Sequence, residues 1–138
     1  EPVGYNVFAG EKKITLATDI GHVTEELRES IAGSEILLLE ANHDEEMVHN
    51  GNYPWHLKKR ILSEKGHLSN KTAGELLSSV VDGKMKHVFL GHLSQENNQP
   101  RLAFNTVDKI LQKNKIQVGK HIKMDMACRH TTGKKVEI

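Results

Sequence analysis

Short apolar stretches alternate with amphipathic ones between residues 14 and 112, and this alternation constrains the fold more than any other feature of the chain. The run ILLL at 36–39 is continuously apolar, as in a strand covered on both faces. At 70–81 the apolar residues recur at helical spacing instead. We predict strands at 4–10, 12–18, 34–42, 86–91 and 121–126, and helices from Thr24 to Gly33, at 53–62, at 70–81 and at 101–112. The chain should therefore adopt an α/β fold with helices packed against a sheet.

Polar side chains with metal-binding or acid–base chemistry follow three of the predicted strands. Asp19 follows the strand at 12–18, and His92 follows the strand at 86–91. The segment EANHD at 40–44, which contains Glu40 and His43, follows the apolar run at 36–39. Because ligands of open α/β sheets bind beyond the carboxyl ends of the strands, these residues mark the predicted functional edge.

The tetrapeptide GHLS occurs twice, at 66–69 and at 91–94, in two different settings. In the first copy, His67 precedes the helix at 70–81, and Ser69 is its predicted cap. A helix start favours anions, so His67 would lie where phosphate oxygens bind well. In the second copy, His92 follows a strand. Both copies combine a flexible glycine with a histidine that can project into a cleft.

Each candidate residue also has an ordinary structural interpretation. An aspartate close to a glycine, like Asp19, is common in turns. His67 and His92 can equally be hydrogen-bonded structural histidines, and His43 can be oriented by its neighbours alone. The residue pattern by itself leaves metal binding, phosphate contact and a structural role open. Four further histidines share no spacing and are interpreted as surface or packing residues: His22, His49, His56 and His87.

Composition excludes several classes of protein. A chain of 138 residues is one domain or part of one, and its net charge of +1 creates no global field for nucleic acid or membranes. The longest apolar run is far shorter than a membrane-spanning helix, which needs about 20 residues. The single cysteine, Cys128, excludes an internal disulfide and favours a reducing cytoplasm. The chain begins with Glu1-Pro2 instead of Met, from which we expect a piece of a longer protein.

Positive charge is concentrated near His67. Between residues 56 and 71, only Glu64 opposes a set of five cations: Lys58, Lys59, Arg60, Lys65 and Lys71. This segment predicts an edge that a polyanion approaches, with salt-sensitive binding. A solvated helix face is the alternative. Aromatic residues make up only 4% of the chain, too few for a base-stacking sheet of the RRM kind.

Four motifs in order, ATDIG, LLLEANHDEE, GHLSN and VFLGHLSQENN, resemble the carboxyl-terminal half of a metallo-β-lactamase-fold hydrolase. The resemblance is to the YycJ/WalJ type, a relative of tRNA 3′-processing endonucleases, and it spans at least residues 4–105. It implies a metallo-β-lactamase-like αββα sandwich, of which residues 1–138 form the second half. It also implies a cytoplasmic, metal-dependent phosphodiester hydrolase, an exonuclease acting on DNA or RNA.

The resemblance assigns a role to each motif. It implies that Asp19 bridges two divalent metal ions, zinc or manganese, and that His92 ligates one of them. His67 matches a histidine that binds no metal but contacts the scissile phosphate or helps the leaving group gain a proton. Glu40 or His43 would support His67. The resemblance also implies that three polar residues of these motifs support the metal ligands or contact the phosphate: Ser69, Asn70 and Ser94.

One part of the family pattern is missing. The motif H-x-H-x-D-H does not occur in the chain, and the family pattern places it upstream of Glu1. We therefore expect the amino-terminal half of the same protein to complete the metal centre, and this chain alone to be inactive. Half a sandwich would also expose a sheet face, which favours partner dependence or homo-oligomerisation. Two alternatives stay open: a hydrolase of esters, lactones or thioesters on the same fold, and a non-catalytic α/β interaction module.

Overall fold

A computed structural model describes residues Gly4–Glu137. In chain order the elements are β1 (Tyr5–Ala9), β2 (Lys12–Ala17), α1 (Glu25–Ile31), β3 (Ile36–Glu40), α2 (Glu45–Asn50), α3 (Trp55–Ile61), α4 (Asn70–Val80), β4 (His87–Gly91), α5 (Pro100–Lys113) and β5 (Lys123–Met126). The α/β class predicted from the alternation is confirmed.

The strands form one mixed sheet of five strands in the order β1-β2-β3-β4-β5. β1 and β2 form an antiparallel hairpin, and Gly10 turns it with a φ of 62°, a left-handed conformation that glycine adopts without strain. The other neighbouring pairs are parallel. The carboxyl ends of β2, β3 and β4 therefore lie side by side at one edge of the sheet.

One face of the sheet carries the core. Alternate strand residues such as Ala17, Leu39 and Val88 are almost fully buried and share one apolar cluster with the inward faces of α4 and α5. The predicted apolar faces of these two helices are confirmed: Ala73 and Leu77 of α4 are completely buried, as is Val107 of α5. Burying such side chains stabilises the fold by about 1.5–3 kcal/mol for each large aliphatic residue.

The other face of the sheet is apolar but incompletely covered. Strand register places on it Tyr5, Val7, Ile14, Leu16, Leu38 and Phe89. Tyr5 and Val7 are 61% and 52% exposed, and Leu38 is only half-buried. The prediction that the strand at 36–39 is covered on both faces is therefore only partly right, because few described residues lie over this second face at Leu38.

Local signals explain most helix boundaries. The Thr24 hydroxyl accepts a hydrogen bond from the Leu27 amide and begins α1, and the Ser69 hydroxyl accepts one from the Thr72 amide and begins α4. α2 was not predicted. Asp44 caps it by accepting from the Met47 amide, but six residues are too few to show a helical apolar repeat.

Candidate metal and phosphate site

Three side chains from separate parts of the chain meet at the carboxyl edge of the sheet. Asp19 follows β2, His92 follows β4, and His67 lies three residues before α4. Each offers one potential ligand atom, and these atoms lie within 4.8 Å of one another. His92 Nε2 is 3.6 Å from the Asp19 carboxylate, and the two imidazole centroids are 5.2 Å apart. The two strand-end residues and the first GHLS histidine therefore belong to one cluster.

Unusual backbone conformations aim two of these side chains. Asp19 and His92 have φ values of 59° and 56°, in the left-handed region that side-chain-bearing residues seldom adopt. Each strand therefore turns sharply as it ends, and the next side chain projects over the sheet edge. Strained positions of this kind are typical of functional sites, since the surrounding structure must hold them.

A fully buried carboxylate forms the floor of the cluster. Glu40, the last residue of β3, accepts hydrogen bonds at Oε1 from His67 Nδ1 at 2.6 Å and from His92 Nδ1 at 2.9 Å. Its Oε2 accepts from the Ile20 amide at 2.7 Å. A carboxylate without a proton can only accept, so both Nδ1 atoms carry hydrogen. In the neutral form of each ring, the Nε2 atom on the side away from Glu40 then carries a lone pair that can bind a metal ion.

This arrangement suits a divalent metal ion. Ligating histidines commonly donate their other ring N–H to a carboxylate, which fixes the tautomer and the ring orientation. Two imidazoles and a carboxylate are also a donor set that zinc accepts in catalytic sites. Sequence reasoning assigned Glu40 or His43 to support His67. The geometry gives Glu40 contacts to both histidines and to the Asp19 loop.

Two loops approach each other closely beside the site. A Cβ atom on Gly21 would lie 1.8 Å from the Glu64 carbonyl oxygen, and one on Gly66 would lie 2.1 Å from the Ile61 carbonyl oxygen. Only glycine permits either contact. The first brings the segment after Asp19 against the segment before His67, and the second allows the tight turn between α3 and His67. The sequence signal was present, because both glycines flank candidate residues.

A buried amide network holds the strand end behind the cluster. The Asn98 Nδ2 donates to the carbonyls of Ala41 and Asn42 and to Asn70 Oδ1, while Asn70 Nδ2 donates back to Asn98 Oδ1. Asn42 Nδ2 donates to the His92 carbonyl at 2.7 Å. Asn70 therefore supports the site from the interior. Sequence reasoning missed Asn98, which no local pattern distinguishes from a turn residue.

His43 and Ser69 lie beside the cluster. His43 is almost completely buried, with 2% of its surface exposed. Among residues 4–137, its Nδ1 atom has no hydrogen-bond partner. Burial lowers the pKa of His43 below its usual 6.5, against the opposing effect of Glu45. The Ser69 hydroxyl caps α4 and donates to Glu45 at 2.8 Å. Ser94 caps the turn after His92 by accepting from the Asn97 amide.

Basic residues surround one side of the site. Arg60 and Lys65 line the same cleft as Asp19 and His67. Of the other predicted cations, Lys58 donates to the His49 carbonyl, and Lys59 lies over the Trp55 ring. His87 has a packing role instead, paired with Asp125 at 2.8 Å.

Within residues 4–137, no helix combines the length and apolar character that crossing a bilayer requires.

Comparison with known proteins finds relatives that are named exodeoxyribonucleases. The chain is 38% identical over 119 residues to a protein of Bacillus anthracis named exodeoxyribonuclease YycJ. It is 37% identical over 123 residues to a protein of Streptococcus pneumoniae named exodeoxyribonuclease WalJ. These alignments cover 86% and 89% of the chain but only 45% and 46% of the relatives. The chain thus spans about half the length of the curated relatives it matches. No family model matches it.

Proposed function

We propose that the chain is the carboxyl-terminal half of a metal-dependent exodeoxyribonuclease with a metallo-β-lactamase-like αββα sandwich. The observation that carries the proposal is the buried Glu40 carboxylate, which holds His67 and His92 with their Nε2 lone pairs free beside Asp19. The names of the two relatives support a nuclease acting on DNA.

Asp19 and His92 would hold two divalent ions, zinc or manganese, together with ligands from the other half. Bound there, such ions supply an activated water and stabilise charge on the phosphodiester. His67, 33% exposed at the side chain, would contact the scissile phosphate or deliver a proton to the leaving oxygen. Glu40 orients both rings, and Arg60 and Lys65 attract the DNA backbone along the cleft.

Two features support the proposal that the amino-terminal half of the protein completes the site. A two-metal centre needs more ligands than Asp19 and the two histidines supply. The second face of the sheet, with Tyr5 and Val7 largely exposed, is an apolar surface that a second layer would cover. We therefore expect the chain alone to be inactive. The cytoplasmic localisation of the whole protein stays a separate prediction.

The test uses the longer protein, with metal content and hydrolysis measured together. Asp19→Ala and His92→Ala should lose bound metal and DNA hydrolysis, whereas His121→Ala, at an exposed histidine far from the site, should lose neither. If both variants keep their metal and their nuclease rate, the proposal is wrong. Hydrolysis of lactone or thioester substrates but not DNA would favour the alternative hydrolase.

The role of His67 needs a variant that keeps its hydrogen bond to Glu40. In His67→Asn, the amide nitrogen takes the place of Nδ1 and can still donate to Glu40, but nothing replaces Nε2. Retained metal with lost turnover supports the proposed contact with the phosphate or leaving group. Loss of metal would instead make His67 a ligand.

A further inference from the structure

Helix α3 differs from the other helices in how it packs. Within the described chain, α3 buries none of its residues, whereas each of the other helices buries at least one. It nonetheless begins with Trp55, which is 62% exposed, and it contains Leu57 at 36%. Large apolar side chains on an unburied helix beside a candidate site indicate a binding surface.

The exposed tryptophan lies beneath a cation. Lys59 Nζ is 5.5 Å from the centre of the Trp55 ring, within cation–π distance. Trp55 and Lys59 are four residues apart and share one face of the helix. The same short helix carries Lys58 and Arg60, and no acidic residue lies in it. Its charge complements a polyanion, and its ring offers a flat apolar contact.

This helix adjoins the cleft of the candidate site. Arg60 lines that cleft together with Asp19 and His67. Trp55 precedes Arg60 by five residues, which is about 7.5 Å along a helix axis and about 140° around it. A strand leaving the cleft past Arg60 would therefore curve around α3 and reach Trp55 after a few nucleotides.

We propose that α3 binds single-stranded DNA, with one base stacked on Trp55, a neighbouring phosphate contacted by Lys59, and Arg60 holding the strand farther along, where it enters the cleft. The proposal rests on the proposed nuclease function for its choice of DNA as the occupant. An aromatic ring with adjacent cations is the usual means of binding single strands without sequence preference. It would hold the substrate strand while its end lies at the candidate metal site.

Intrinsic fluorescence tests the contact directly, because Trp55 is the only tryptophan of these 138 residues, and in the longer protein its signal is the difference between wild type and Trp55→Phe. A short oligothymidylate should quench this fluorescence and shield Trp55 from acrylamide, and both effects should weaken as salt increases. Trp55→Ala should weaken binding of a labelled oligothymidylate roughly 5- to 150-fold, the effect of one stacked base, and Trp55→Phe should restore most of it. Phe8→Ala removes an aromatic residue that is 65% exposed on β1 and should change nothing.

Two results would overturn the proposal. One is oligothymidylate binding by Trp55→Ala as tight as by Phe8→Ala. The other is a Trp55 already shielded from acrylamide in the longer protein without DNA, since α3 would then be covered by protein. The proposed function is tested separately: if Trp55 is quenched but the metal-loaded longer protein does not hydrolyse DNA, the surface stands and the nuclease proposal fails.

Discussion

Replacing Glu40 by glutamine tests the central feature of the site with almost no change in shape. The carboxylate accepts from three N–H groups, two at Oε1 and one at Oε2. Glutamine has only one acceptor oxygen, so its amide group must face either Ile20 N–H or the two imidazoles. In the second orientation both histidines must move their hydrogen to Nε2, which removes the lone pairs available to a metal ion.

The magnitude follows from these contacts. Loss of an orienting partner behind a metal ligand costs 10- to 100-fold in metal affinity, or about 1.4–2.8 kcal/mol. The metal-free protein also loses a hydrogen bond to a charged group, worth about 1.5–3 kcal/mol. It is relieved, however, of a buried charge whose desolvation costs several kcal/mol. We therefore expect metal affinity to fall more than the free energy of unfolding of the metal-free protein.

The assay is zinc binding by the longer protein in competition with a chromophoric chelator, with urea unfolding of the same samples without metal. Glu75→Gln, at an exposed position of α4, is the matched control and should bind zinc as the wild type does. Glu40→Asp keeps both oxygens but withdraws them by one methylene group, and should give an intermediate affinity. Zinc binding by Glu40→Gln within twofold of wild type would refute the orienting role of this carboxylate.

Three further predictions concern the surroundings of the site. Gly21→Ala should lower both the melting temperature and zinc affinity, since its Cβ would lie 1.8 Å from a carbonyl oxygen; Gly83→Ala, with open space around it, should do neither. The pKa of His43 is lowered in the folded chain, so the unfolded chain takes up a proton first as pH falls. The folding stability contributed by the neutral ring is therefore lost as pH falls below 6.5. Urea unfolding at pH 7.5 and pH 5 should show a smaller loss of stability for His43→Gln than for the wild type. Asn98→Ala removes four buried hydrogen bonds and should cost about 1–3 kcal/mol in urea unfolding for each buried polar group left unsatisfied, against no change for the exposed Asn105→Ala.

Much of this arrangement was predictable from local sequence signals. The apolar periods located strands β1 to β5 and the larger helices of the described chain, and the alternation of strands and helices predicted the α/β class. Asp19 and His92 could be placed at one edge because parallel strands end together. Helix α2 was missed because its six residues carry a cap but no repeat, so the residues after Asp44 looked like loop.

What sequence could not supply is which side chains meet across the chain. Asn98 is separated from Ala41 by 57 residues, and an asparagine in a loop gives no sign of the carbonyls it will meet. Trp55 presents the opposite case. The helix predicted at 53–62 is confirmed as α3, but no signal in the sequence indicated that none of its residues would be buried.

Glu40 links the fold to the chemistry because its three donors come from three different connections in the chain. Ile20 belongs to the segment after β2, His67 to the segment before α4, and His92 to the segment after β4. A buried carboxylate that lost any one of these donors would be less well satisfied, so folding itself favours the arrangement in which all three segments converge. These contacts within the protein thereby hold His67 and His92 beside the Asp19 segment. Side chains fixed in this way need little reorganisation when they bind a metal ion or a phosphate, which raises affinity.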